Sequence, residues 1–508
     1  MRGPLKDRRK PRQPLFVVLM WFGAGAMFIP GLHAYAREEY PIGQAFVNGA
    51  LLFILTSVMV ALALRGRLPD ESAFAQLAAL LAAFTVLPLG FALPFWAALG
   101  DGTLFGAWFE MVSAFSTTGA TLWVDATALD PSLHLWRAIV GWMGGLLIWV
   151  AAVAVFAPLN LGGFEVRANI GRGDLSTQFS QVTRTAGPYE RLDRYFMQLA
   201  PIYGGLTLGL AILLIMSGQD PFHAICHALS VMSTSGITPG DGPVGAGGGI
   251  WAEVVILAFL VLALSRRTYG RSLPGESGAA LIRDPEFQLA MAIIGAGSAM
   301  LFARHWLGSG GDGDFIRAAQ ALWGGLFTIA SFLTTLGFES QYWEGATAWS
   351  GLQAPGLVLL GLAIFGGGIG TTAGGVKLLR VYALYKHGNR ELQRLILPSS
   401  VGGAGAEARR IRRGGAMIAW VFFMLFAMSL AAIILFLTAT GVNFEDAVVL
   451  AIAALANCGP LAMIAPEAPI SYAALPQVAQ VGLAVAMIVG RLELLAVIAL
   501  LNPDFWRS

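Results

Sequence analysis

The sequence predicts an all-α integral membrane protein in which four pseudo-symmetric helix–pore helix–helix repeats surround a central ion pore, with two extra helices at the N-terminus. Two observations carry this. The chain of 508 residues is 56% hydrophobic and only 12% charged, where a soluble protein carries about 25% charged residues, and its mean hydropathy of +0.68 leaves little soluble mass. A turn of small, polar and glycine residues also recurs as Thr117-Thr118-Gly119, Thr234-Ser235-Gly236, Thr335-Leu336-Gly337 and Asn457-Cys458-Gly459. Its glycines are spaced by 117, 101 and 122 residues, each interval long enough for two crossings and one re-entrant segment. One such triplet is weak evidence, because a capped loop has the same composition; four in phase with apolar spans are a fourfold repeat.

Taken in order, residues 1–13 read as a cytoplasmic tail and 14–70 as the two extra spans, near 14–32 and 44–64. The basic start precedes an apolar run over 14–30 that has no small-residue cleavage site, so it reads as a first anchor rather than a signal peptide. The four repeats occupy 71–194, 195–285, 286–414 and 415–508. Their outer, pore and inner helices are expected near 72–97, 103–116 and 134–158; 195–217, 221–233 and 250–265; 286–307, 314–333 and 352–380; and 415–440, 443–456 and 474–501. Full helices have the roughly 20 residues needed to cross hydrocarbon, and the pore helices read as too short or too polar to cross.

Placing the N-terminus in the cytoplasm puts 28 of the 32 basic residues on the inner side or tail, as the positive-inside rule requires, with both termini inside. These include Arg65, Arg67, Arg167, Arg172, Arg184, Arg191, Arg194, Arg266, Arg267, Arg271, Arg283 and the cluster from Lys377 to Arg413. Only Arg37, Arg137, Arg304 and Arg317 fall outside. All four turns then enter from the outer side, near acidic positions such as Asp101, Asp241, Asp312, Asp314, Glu339, Glu344, Glu445 and Asp446, which either concentrate cations or are ordinary polar loop surface.

Non-helical backbone at membrane depth must line a cavity or pack in protein. Four such turns sharing one cavity have carbonyl oxygens free to replace the water shell of a cation. Glycine permits the positive φ and the close approach this needs, and the pore-helix C-termini point negative partial charge at the same axis.

The third inner helix contains Gly366-Gly367-Gly368-Ile369-Gly370-Thr371-Thr372-Ala373-Gly374-Gly375, six glycines in ten positions, which no regular membrane helix should hold without a use for the lost stability. An unwound flap below the turns is one explanation and close helix packing the other. Lys377 and Arg380 mark the return to the cytoplasm. Arg491 in the last inner helix is an intramembrane cation; it is either an electrostatic barrier beside the flap, or it pairs with Glu493 or caps carbonyls. Glu110 reads as a buried acid bonded to backbone amides behind the first turn. His223 and His227 share a helix face without further zinc ligands and read as packing or mouth residues. Cys226 and Cys458 match no metal or redox spacing.

On Phe115–Thr121, Gly141-Trp142-Met143-Gly144-Gly145, Pro158, Leu161-Gly162-Gly163, Ser233–Gly236, 334–338, 370–377, Asn457-Cys458-Gly459-Pro460 and Gly490-Arg491-Leu492-Glu493, the chain resembles the TrkH family of bacterial potassium-uptake proteins, within the superfamily that includes KtrB subunits and plant HKT transporters. The resemblance implies that the four triplets form a potassium filter, that 366–375 is an intramembrane gate loop with Arg491 beside it, and that the two extra N-terminal spans mark the TrkH type. It implies a homodimer with one pore per subunit in the bacterial inner membrane, regulated by a cytoplasmic ring of TrkA-type RCK subunits that bind nucleotide. The chain itself carries no dinucleotide fingerprint. Potassium is expected as transported substrate, with no cofactor, no enzymatic activity and no nucleic-acid partner. In the plant transporters a serine at the first filter glycine goes with sodium transport, so Gly119 favours potassium. The chain departs from the family pattern at Leu336, Ile237 and Leu461. The alternative function is a potassium symporter coupled to protons or sodium by alternating access.

Overall fold

The computed structural model describes residues 15–64, 72–100, 102–166, 188–240, 247–265, 281–308, 315–350, 355–396 and 415–501. The tail 1–13, Arg65, Arg67, Arg167, Arg172, Arg184, Arg266, Arg267, Arg271, Arg409, Arg410, Arg412, Arg413, Asp101, Asp241, Asp312 and Asp314 lie outside the described residues. Among those described, every regular element is helical, and eight helices are long and apolar enough to cross a membrane.

The N-terminal hairpin, Leu15–Ala36 and Tyr40–Ala63, seats on the first repeat through aromatic residues. Phe46 and Phe91 both meet Trp136 edge-on, at 5.7 and 5.8 Å between ring centroids, and the Trp136 indole donates to the Phe91 carbonyl at 3.2 Å. Repeat 1 then runs through an outer helix (Ala73–Leu99), a pore helix (Leu104–Phe115) and an inner helix that begins at Pro131. Local chemistry sets the starts: Ser72 accepts from Ala75 N, Thr103 from Gly106 N and Asp130 from Ser132 N. Proline occupies the first inner-helix position, where its missing N–H costs nothing. This inner helix is the most enclosed of the spans, 89% buried, so it forms part of the core rather than the lipid face.

Repeat 2 comprises Pro188–Met216, Pro221–Ser233 and Gly249–Leu264. Repeat 3 comprises Pro285–Gly308, Phe315–Leu333, a short outer helix Trp343–Ser350, and an inner helix split into Pro355–Phe365 and Leu378–Ile396. Repeat 4 comprises Gly415–Ala439, Phe444–Leu455 and the pair Gln477–Leu492 and Leu494–Leu501.

Several expectations change. The third pore helix has 19 residues and is apolar enough to pass as a span by composition, yet it ends at a turn inside the bundle. The second inner helix has only 16 residues, short of a full crossing. The fourth inner helix, expected to be continuous, bends by 99° at Glu493, whose φ of 69° no helix accommodates. Arg137, expected at the outer surface, is buried and paired with Glu110 at 2.9 Å. Lys377 and Arg380, expected to mark the return to the cytoplasm, are both buried.

Candidate functional site

All four pore helices end in one motif. The first residue of each triplet is left-handed: Thr117, Thr234, Thr335 and Asn457 have φ of 56°, 52°, 58° and 53°. The next amide reaches back five residues: Thr118 N donates to Ser113 O, Ser235 N to Ser230 O, Leu336 N to Ser331 O and Cys458 N to Ala453 O, at 2.8–3.0 Å. This is a Schellman cap. It normally uses glycine; a non-glycine residue here stores about 1–3 kcal/mol of backbone strain. Positive φ then recurs at Gly119, Gly236 and Gly337 but not at Gly459, so the expected dihedral role of glycine holds for three turns only.

Gly459 is required by space instead. A Cβ on it would overlap the Ala120 amide and lie 2.8 Å from the Gly119 carbonyl carbon. The other three extend this relation around a ring. A Cβ on Gly119 would overlap the Ser235 carbonyl oxygen, one on Gly236 the Leu336 carbonyl oxygen, and one on Gly337 would lie 3.3 Å from Cys458 Sγ. Each turn thus abuts the next, and the fourth closes on the first, where Gly459 N donates to Thr118 O at 2.6 Å and Asn457 Nδ2 to Thr118 Oγ1 at 3.0 Å. All twelve triplet positions therefore converge on one closed ring of turns.

Behind the ring, in three of the four repeats, the residue nine positions before the glycine has a shared task. Glu110 accepts from Leu122 N at 2.5 Å, His227 bonds Thr238 Oγ1 at 3.1 Å, and Thr328 accepts from Ser340 N at 3.2 Å. The fourth repeat has Leu450 there, and Tyr472 takes over by donating its hydroxyl to Gly459 O at 3.2 Å. His223 instead stays exposed beside Asp220. Cys226 and Cys458 are free, buried thiols.

Beneath the ring, residues 366–377 form an irregular loop closed at its base by Val376 N to Ile364 O and Lys377 N to Phe365 O, both 2.9 Å. Gly374 N donates to Thr335 Oγ1 at 2.8 Å, and Thr372 Oγ1 to Met232 O at 3.2 Å, so the loop touches the third turn and the end of the second pore helix. The unwound and close-packed explanations of the glycines are both realised. Gly366, Gly370 and Gly375 have φ of 69°, 65° and 74°. A Cβ on Gly366, Gly367, Gly368 or Gly374 would overlap backbone oxygens of Gly374, Ala263, Leu264 and Ala456 respectively. Thr371 Oγ1 ties the loop internally to Gly368 O at 2.7 Å, and Ile369 packs against Gly163.

Two buried cations hold this loop. Arg491 Nη1 donates to Thr372 O at 2.6 Å, and the Lys377 ammonium donates to the neighbouring Ala373 O. Of the two bonding alternatives for Arg491, carbonyl capping is the one present; Glu493 is engaged elsewhere, by Arg380 Nη1 at 2.8 Å, while Arg380 Nε meets Glu165 at 2.7 Å. Arg491 Nε and Nη2 have no hydrogen-bond partner among the described residues. The cavity lined by the loop, Ile148, Phe156, Arg491 and Glu493 is only about 20 Å³, room for about one water.

A bundle of four re-entrant turns closed into one ring defines a pore-loop membrane transport protein. The family model of TrkH, a cation transport protein, matches residues 304–506. The TrkH Trk system potassium uptake protein of Escherichia coli K12 is 29% identical over 97% of this chain and 98% of its own length, and that of Salmonella typhimurium is 30% identical over the same shares. The TrkI Trk system potassium uptake protein of Halomonas elongata is 32% identical over 80% of this chain and 78% of its own length. The crystal structure of the potassium transporter TrkH from Vibrio parahaemolyticus superposes with a TM-score of 0.80 at 25% identity, covering 97% of this chain and 98% of that one. The chain belongs to the TrkH family, whose members transport cations and are not enzymes.

Proposed function

We propose that the protein takes up potassium across the bacterial inner membrane through a filter lined by carbonyls of the four triplets, gated by 366–375 together with Arg491. The single observation that carries this is the closed ring of four Schellman-capped turns above a loop whose carbonyls two buried cations hold. A ring of backbone oxygen replaces the hydration shell of an alkali cation. The loop lies directly below it, bonded to the third turn and the end of the second pore helix, and in this reading obstructs the path. In this account the chain divides into the tail 1–13, the two extra spans in 14–70 and repeats at 71–194, 195–285, 286–414 and 415–508, with both termini cytoplasmic. It acts as a homodimer in the lipid bilayer, regulated from the cytoplasm by TrkA-like RCK subunits that bind the nucleotide. The relatives' names, Trk system potassium uptake proteins, support potassium as the substrate. The test is reconstituted flux: protein in liposomes should pass potassium under an imposed voltage with no proton or sodium gradient. Strict dependence on a second ion gradient would select the coupled symporter instead.

A further inference from the structure

A carboxylate outside the triplets holds the third turn from a neighbouring repeat. Glu253 lies in the second inner helix and is fully buried. Its Oε1 accepts from Gln341 N at 2.8 Å, and its Oε2 from Ser340 Oγ at 2.8 Å and from the Trp323 indole at 2.7 Å. Ser340 and Gln341 belong to the limb that leads outward from Gly337, and Trp323 belongs to the third pore helix. One side chain of repeat 2 therefore joins both halves of the re-entrant segment of repeat 3.

The donor set dictates the chemistry. A backbone amide and an indole N–H can only donate, and they fall on different oxygens, so both oxygens must accept. Glutamine supplies one acceptor and one donor and leaves a buried N–H facing an N–H. A carboxyl group can accept at both oxygens and satisfies the site, whereas an amide cannot. Glu110, its counterpart behind the first turn, is neutralised by Arg137 at 2.9 Å; among the described residues no basic side chain pairs with Glu253.

We propose that Glu253 is a positioning residue for the third filter turn, fixing its outward limb from the adjacent repeat and thereby setting how strongly the pore favours potassium over sodium. This rests on the filter reading above. A brace matters at the third turn because Leu336 there, like Cys458 in the fourth, lacks the hydroxyl that its counterparts Thr118 and Ser235 use to bond neighbouring side chains.

The experiment is the potassium-to-sodium permeability ratio, from reversal potentials of full-length protein in planar bilayers, for wild type, Glu253→Gln, Trp323→Phe and Gly119→Ser, with monodispersity and melting temperature recorded for each. A hydrogen bond to a charged group carries more than about tenfold in an equilibrium, and part of that reaching the turn gives an expected fall in the ratio of at least about threefold for Glu253→Gln. Trp323→Phe, which removes one donor and keeps an aromatic ring, should lower it in the same direction by less; it decides the matter if Glu253→Gln does not fold. An unchanged ratio in folded Glu253→Gln and Trp323→Phe, with the ratio lowered in Gly119→Ser, overturns the proposal and leaves the filter standing. A lower melting temperature with an unchanged ratio overturns it too, since the role is then stability alone. If Gly119→Ser also leaves the ratio unchanged, the filter reading fails and the proposal with it.

Discussion

Arg491→Ala should open the pore, and the size of the effect follows from the contacts. The guanidinium makes a charge-assisted bond of 2.6 Å to Thr372 O in a buried site. Such bonds contribute about 1.5–3 kcal/mol, and with about 1.4 kcal/mol per tenfold the closed-to-open ratio should fall by about 10- to 150-fold if the bond exists only in the closed state. Removing the cation also lowers the field opposing a permeating cation. Lys377→Ala should act in the same direction, because its ammonium holds the adjacent carbonyl, Ala373 O, of the same loop. Two tethers on neighbouring carbonyls share one barrier, so the double variant should gain less than the sum of the single free-energy changes. The assay is single-channel open probability and conductance in planar bilayers without cytoplasmic subunits, at matched protein levels. Unchanged opening in both singles would refute the gate, leaving the glycine run as packing and Arg491 as an anchor. Full additivity would show two separate barriers. Shortening the loop within 366–375 by several residues should likewise raise basal flux, and less than additively with Arg491→Ala.

Further outcomes follow from other contacts. Gly119→Ser places a side chain at φ 75° against the Ser235 carbonyl oxygen, and sodium permeation measured by reversal potential should rise relative to potassium. Glu165→Gln removes one partner of the buried Arg380 and should cost about 3 kcal/mol of stability, visible as a lower melting temperature in detergent. Asp220 caps the second pore helix through Phe222 N at 3.0 Å, and its bond to His223 holds its carboxyl below the usual range. Asp220→Ala should therefore cost about 1 kcal/mol at neutral pH. A depressed folded-state value gives stability that is present above the unfolded carboxyl value and lost as pH falls through the folded one, so wild type and variant melting temperatures should converge in acid. Neutralising Arg409, Arg410, Arg412 and Arg413 should weaken co-purification with a TrkA-type subunit; retained binding with unaltered topology rejects docking there.

The helices and the four turns were legible because their signals are local: apolar runs of span length, and glycine recurring in register. Other features depend on neighbours distant in sequence. The left-handed Thr117, Thr234 and Thr335 run against β-branched preference, and the helix caps together with the close approach of the four turns accommodate them. Gly459 resembles the other three glycines in sequence but is demanded by contact with Gly119 and Ala120, 340 and 339 positions earlier. The break at Glu493 gives no composition signal, and the partner of its carboxylate, Arg380, is 113 residues away. Lys377 reads as a membrane-surface lysine until the loop folds back and places Ala373 O over its ammonium. Glu253 was missed because its partners are 70 to 88 residues downstream. The nine-residue offset of Glu110, His227 and Thr328 from their glycines was present in the sequence and is the signal that would have found those braces.

The central claim is that a ring of backbone carbonyls passes potassium without a coupled ion. Its most direct test is flux through purified protein in liposomes under a valinomycin-free imposed voltage, with potassium, rubidium or sodium as the sole permeant cation and no proton gradient. The account predicts voltage-driven potassium and rubidium flux well above sodium flux; flux that appears only with a proton or sodium gradient, or sodium passing as readily as potassium, would contradict it.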